Sequence, residues 1–168
     1  AGPPSDIDGG ENRLLGYRAG LAAHGLHGLD PAETLVVPSS AYTYEAGYAC
    51  TRKLLATQRV FTAVFAATDH MAVGCVKALW DNGLRVPEDI SVIGFDNLST
   101  TGYSTPPITT VNQPRYEMGR LAAQKICQVL AGQDVEQRHI TLRHNIVYRA
   151  STAAPGRLKQ YVPSGKPV

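Results

Sequence analysis

The sequence predicts an α/β protein built on a parallel, doubly wound sheet. Three observations carry that expectation. Short apolar runs at residues 34–37, 62–66, 90–95 and 108–111 read as strands covered on both faces, as parallel strands are. Four longer segments repeat apolar residues at helical spacing. The two kinds alternate, helix then strand, which is the order that builds a parallel sheet through crossover helices.

The elements follow in order. After a loop-like opening, AGPPSDIDGGEN, residues 11–24 form a helix with Leu14, Leu15, Arg18, Leu21 and Ala22 on one face and Gly25 as its stop. Strand 34–37 precedes a second helix, 44–56, which turns Ala46, Ala49, Cys50, the Lys53 stem and Leu54 inward. Strand 62–66 leads into a third helix, 70–82, where Ala72, Cys75, Val76 and Leu79 repeat until Gly83. Strand 90–95 runs into a loop to residue 107, rich in Ser, Thr, Gly and Pro. Strand 108–111 leads to a fourth helix, 115–130, with Met118, Leu121, Ala122, Ile126 and Val129 on one face and Gly132 beyond its end. Residues 139–148 alternate like a strand with one solvated face, and 151–168 read as an extended or disordered tail.

Composition excludes several classes. At 168 residues, 43% hydrophobic and 18% charged, the chain suits one ordinary globular domain with a real core. The net charge is +2 and the basic residues form no run, so the chain carries no nucleic-acid footprint of its own. No apolar stretch approaches the ~20 residues of a membrane span. Cys50, Cys75 and Cys127 form no CxxC pair and have apolar neighbours, which predicts buried free thiols in a reducing cytoplasm. His24 and His27 form an HxxH without a third ligand in reach, so no metal site is expected. GxSxG, HExxH, GxGxxG and phosphate-loop signatures are all absent; neither a catalytic residue nor a cofactor is predicted.

Two apolar runs each end in an acid: FTAVFAA meets Thr68-Asp69, and ISVIGF meets Asp96-Asn97. In a doubly wound sheet, ligands bind beyond the carboxyl ends of the strands. Asp69 directly precedes a helix, so N-capping is its main expected job, with Thr68 facing the crevice. Asp96 precedes a loop and is read as a ligand contact rather than an Asx turn. Arg13 is either an ordinary surface arginine or the donor that completes Asp96 the acceptor, a pair suited to a polyol hydroxyl. Tyr42 is either a loop aromatic or a platform for a sugar ring or base. Two strand-end carboxylates could also mimic the pair of a glycosidase, but nothing in the sequence marks either one as a general acid.

The stretches TAVFAATDHMAVGCVKALWDNGLRVPEDISVIGFDN, TPPITTVNQPRYEMGRLAAQKI and IVYRASTAAP resemble the effector-binding core of the lactose-repressor/galactose-repressor family of bacterial transcription regulators. The run VPEDISVIGFDN followed by PPITTVNQP is the most specific part. The resemblance implies a periplasmic-binding-protein-like core, with the C-terminal subdomain nearly complete and the N-terminal subdomain mostly missing. By that division residues 1–106 form the C-terminal subdomain, 107–138 the hinge crossing and a helix of the N-terminal one, 139–150 the returning strand, and 151–168 the tail. The effector-contacting positions are matched by Arg13, Tyr42, Thr68 and Asp96, with Asp69 as a supporting residue or cap; Thr68 departs from the asparagine common in relatives. The implied partners are a sugar-like effector, a second copy of the chain, and operator DNA only through a headpiece absent from this chain. The stripe Met118, Leu121, Ala122 and Ile126, without its native sheet, is expected to favour dimerisation. The alternative is a solute-binding protein of a sugar transport system, since one fold serves both uses.

Overall fold

The computed structural model describes residues 9–26, 35–135 and 139–154. Its elements are α1 (Gly9–Ala23), α2 (Tyr44–Ala56), β1 (Ala63–Phe65), α3 (Asp69–Asp81), β2 (Ser91–Phe95), α4 (Ser99–Tyr103), β3 (Thr109–Asn112), α5 (Arg115–Leu130) and β4 (Asn145–Val147). The four strands form one sheet in the order β1-β2-β3-β4. The first three are parallel, with Ile93 beside Thr109 and Gly94 beside Thr110. β4 is antiparallel to β3, with Thr110 opposite Val147.

The α/β class is borne out, with a mixed sheet in place of a wholly parallel one. The returning strand expected over 139–148 contracts to Asn145–Val147, which pairs with Thr110, Val111 and Asn112 of β3. The expected strand at 34–37 is absent among the described residues 35–37. Leu35 and Val36 instead flank the edge strand β1 across a cavity of about 140 Å3 that they line with Phe61, Val64 and Phe65. The predicted loop after β2 contains the short helix α4.

One face of the sheet is well covered. α3 lies on β2, and α2 packs on α3. The core there is Leu55, Ala66, Ala67, Met71, Ala72, Cys75, Val76, Leu79, Ile90, Val92 and Ile108. Each large aliphatic side chain among them contributes roughly 1.5–3 kcal/mol by leaving water. The α3 face is the one periodicity predicts. The α2 face is only partly so: Leu54 is buried and Ala46 and Cys50 are half-buried as expected, but Gly47, Thr51 and Leu55 are buried too, while Ala49 and Lys53 are exposed. The reason is backbone proximity. A Cβ on Gly47 would overlap the Met71 carbonyl, and one on Gly74 would overlap the Tyr44 carbonyl. Where the two backbones approach, glycine must stand in place of a larger residue, and the buried Thr51 hydroxyl is satisfied by donating to the Gly47 carbonyl at 2.9 Å.

The other face is thinly covered. α1 turns Gly10, Arg13, Leu14 and Tyr17 toward Ala63 and Phe65, and the predicted face is rotated: Leu15, Arg18 and Ala22 are exposed. No side chain of α5 is buried, and Met118, Ile126 and Val129 of the predicted stripe are exposed. Beyond β4 the chain stays hydrogen-bonded to the sheet. Ser151 is buried; its hydroxyl donates to the Val92 carbonyl at 2.5 Å and accepts the Thr109 N–H at 2.8 Å. This ties the amino ends of β2 and β3 together. Residues 155–168, most of the predicted tail, lie outside the described residues. The buried-thiol expectation holds for Cys75, whose pKa burial pushes up to about 11; Cys50 is half-buried and Cys127 exposed. Among the described residues no helix is long and apolar enough to cross a membrane.

Candidate functional site

The carboxyl ends of β1, β2 and β3 bring Thr68-Asp69, Phe95-Asp96-Asn97 and Gln113 to one edge of the sheet. Neither Thr68 nor Asp69 takes its expected role. Extended backbone persists through Thr68 (φ −143°, ψ 166°), so Thr68 becomes the N-cap of α3 and its Oγ1 accepts the Met71 N–H at 3.3 Å. Asp69 is therefore not the cap. It is the first helical residue, fully buried, with Oδ1 accepting from the Thr110 hydroxyl and Oδ2 from the Leu98 N–H, both at 2.6 Å. Gly94 of β2 makes room for it, because a Cβ there would overlap Asp69 Oδ1. Burial pushes the Asp69 carboxyl above the usual carboxylate range, against the pull of its two donors and of the Arg149 charge. Thr68, expected to face ligand, is 7% exposed with its oxygen already engaged in the cap.

Asp96 stands on strained backbone. Its φ is +113° and that of Asn97 is +55°, two consecutive non-glycine residues with positive φ. Such residues cost about 1–3 kcal/mol each and persist only where their surroundings hold them. The Asp96 N–H donates to the Val111 carbonyl at 2.9 Å, and Gln113 Nε2 donates to Asp96 Oδ1 at 2.6 Å. Its other carboxylate oxygen accepts no hydrogen bond from the described residues. Burial raises the Asp96 pKa, and so does the neighbouring Asp69 charge; Arg13, Gln113 and Arg115 pull it back.

Arg13 reaches this edge from α1. Its guanidinium carbon lies 4.5 Å from the centroid of the Phe95 ring and 5.8 Å from that of Tyr42, within the range of cation–π attraction. Arg13, Tyr42 and Asp96, far apart in sequence, are thus brought together around Phe95, while Thr68 lies buried at the start of α3. The arrangement is a donor and an acceptor beside aromatic faces, suited to a hydroxylated ring.

Four further residues complete the edge. Gln113 follows β3 as Asp96 follows β2, so the same strand-end rule that picks out Asp96 points to it. Phe95 carries the aromatic face. Arg115 donates to the Asn97 carbonyl at 3.2 Å. Arg149, from beyond β4, donates to Asn97 Oδ1 at 2.7 Å, the Ile108 carbonyl at 2.8 Å and Thr101 Oγ1 at 3.1 Å. No local pattern marks Arg115 or Arg149. Among the described residues no cluster of ligating side chains could hold a metal ion. His24 is exposed with Nδ1 at 2.9 Å from the Gly20 carbonyl oxygen, and His27 lies outside the described residues.

A family model described as the periplasmic binding protein-like domain matches residues 2–152. The chain belongs to this family. Its relatives include the HTH-type transcriptional regulator CelR of Thermobifida fusca, 37% identical over 88% of this chain and 42% of that protein. The HTH-type transcriptional repressor CytR of Escherichia coli (strain K12) is 38% identical over 84% of this chain and 40% of that protein. Among solved structures, a CelR–cellobiose complex matches with a TM-score of 0.81 at 37% identity, over 89% of this chain and 45% of that one. A lac repressor dimer bound to operator and the anti-inducer ONPF matches with a TM-score of 0.80 at 30% identity, over 92% of this chain and 51% of that one. The chain thus spans about two fifths of the length of these curated relatives. The resemblance to the lactose-repressor/galactose-repressor family is borne out.

Proposed function

We propose that this chain is the effector-binding part of a bacterial DNA-binding transcription regulator, and that its effector is a sugar-like polyol. The observation that carries this reading is the meeting of the Arg13 guanidinium and the Asp96 carboxylate beside Phe95 and Tyr42 at the carboxyl edge of the sheet. Arg13 donates to a ligand hydroxyl, the open oxygen of Asp96 accepts from one, and the rings pack against the C–H face of the sugar. A relative solved with cellobiose supports the ligand class, and relatives named as transcription regulators favour this reading over transport. Residues 1–106 act as one subdomain of the core and 107–138 cross to the other. Ligand contact at this edge shifts the pose of the two, and so the operator affinity of a cytoplasmic homodimer, which is a coupling between distinct sites. No catalytic step is part of this function.

Calorimetric titration of the chain with a panel of mono- and disaccharides, cellobiose included, and of nucleosides tests the proposal. A sugar is expected to bind, and Arg13→Ala or Asp96→Asn to weaken it by roughly 10–100-fold, the worth of one hydrogen bond to a charged group. Unchanged affinity in both variants, or binding by none of the sugars, overturns it.

A further inference from the structure

Asn97 is engaged at every polar atom. Its N–H donates to Thr110 Oγ1 at 3.3 Å and its Nδ2 to Asn112 Oδ1 at 3.0 Å. Its side-chain oxygen accepts from Arg149 at 2.7 Å and its carbonyl from Arg115 at 3.2 Å. The next residue, Leu98, is held by Asp69 at 2.6 Å. Partners from β3, α5 and the segment after β4 thus converge on one residue with φ +55°, directly behind Asp96 at φ +113°, while α3 holds its neighbour Leu98. Two adjacent positive-φ residues relax unless their surroundings over-determine them. The Arg149 bond is charge-assisted, and the same guanidinium is fixed by the Ile108 carbonyl and Thr101 Oγ1, so it acts as a rigid bracket.

We infer that Arg149 and Asn97 are positioning residues for the ligand-binding carboxylate: Arg149 clamps Asn97, and the clamped pair holds the Asp96 backbone in the conformation that aims its side chain toward Arg13. Neither residue needs to touch the ligand. The inference rests on the proposed role of Asp96, and the ligand-free experiment below tests it separately from that role.

Amide hydrogen exchange followed by NMR on the 168-residue chain, without ligand, reads the clamp directly. The Asp96 N–H, bonded to the Val111 carbonyl, is the reporter, and the Ala72 N–H, bonded to the Thr68 carbonyl in α3, is the control. Arg149→Lys keeps the charge and loses the fork; it is expected to speed Asp96 exchange by roughly tenfold or more while Ala72 is unmoved. Asn97→Ala removes the grip from the other end, leaves Arg149 its bonds to Ile108 and Thr101, and is expected to act alike. Asn97→Gly adopts positive φ without strain, so in its background Arg149→Lys is expected to have a smaller effect. A merely structural role for Arg149 would move both reporters together and be indifferent to glycine at 97. Parallel acceleration of Asp96 and Ala72, or unchanged Asp96 exchange in Asn97→Ala, overturns the inference even if Arg149→Lys fails to fold. Failure to bind any sugar would overturn the proposed function and leave this exchange pattern standing.

Discussion

Replacing Asp69 with alanine and with asparagine separates what its oxygens do for the fold from what its charge costs. Both oxygens are used in a fully buried site, one by the Thr110 hydroxyl and one by the Leu98 N–H. Alanine strands both donors, and each buried donor without an acceptor costs about 1–3 kcal/mol. Asp69→Ala is therefore expected to lose about 2–6 kcal/mol, a large share of the about 5–15 kcal/mol that holds a domain folded. Asparagine keeps one carbonyl oxygen for Leu98 and offers its NH2 to Thr110 Oγ1, which can accept. Its loss is expected to stay near the bottom of that range. The pH dependence follows from burial, which raises the Asp69 pKa in the folded chain. A proton held more tightly folded than unfolded gives stability that is fully present below the unfolded pKa and is lost as pH rises through the folded one. Asparagine has no such loss, so the gap between the parent chain and Asp69→Asn narrows from acid to neutral pH. Urea unfolding followed by far-UV circular dichroism at stepped pH measures both effects. Asp69→Ala within about 0.5 kcal/mol of the parent, or a gap that widens as pH rises, would show that the buried Asp69 oxygens do not hold Thr110 and Leu98 in this way.

Other outcomes follow from the same structure. Gly74→Ala is expected to cost about 1–3 kcal/mol in urea unfolding by driving α3 off the Tyr44 carbonyl. Gly119→Ala in α5, with nothing within 4 Å of the new methyl, is expected to gain up to about 1 kcal/mol. Because burial raises the Asp96 pKa and the ionised carboxylate is the stronger acceptor for a ligand hydroxyl, calorimetry across acidic pH should show sugar affinity beginning to fall at a higher pH than an ordinary carboxylate would dictate. That dependence should vanish in Asp96→Asn. Thiol labelling near about pH 8 should modify exposed Cys127 well before Cys75, whose burial holds it as the thiol.

Local pattern by itself determined a good deal of this protein. The α3 face of Ala72, Cys75, Val76 and Leu79 was legible because a single helix burying apolar side chains writes its period into neighbouring residues. Asp96 was legible because an apolar strand in such a sheet meets water and ligand only at its end. Arg13 and Tyr42 came through composition at loop and helix starts together with family resemblance, not through any spacing to Asp96. Only the tertiary structure decided the rest. Part of the α2 face, Gly47 and Thr51, escaped periodicity because a close helix–helix approach selects for missing side chains, at Gly47 and Gly74, beside the apolar ones. Thr68 took the cap expected of Asp69, and Asp69 was buried, because capping depends on where extended backbone turns helical and on Thr110 and Leu98 reaching Asp69 from distant parts of the chain. Arg149 lies 52 residues from Asn97, and its grip exists only once β4 has paired with β3. Periodicity reports which side of an element faces inward; it carries no information about which distant polar group waits there, and that is what turns a strand end into a binding site.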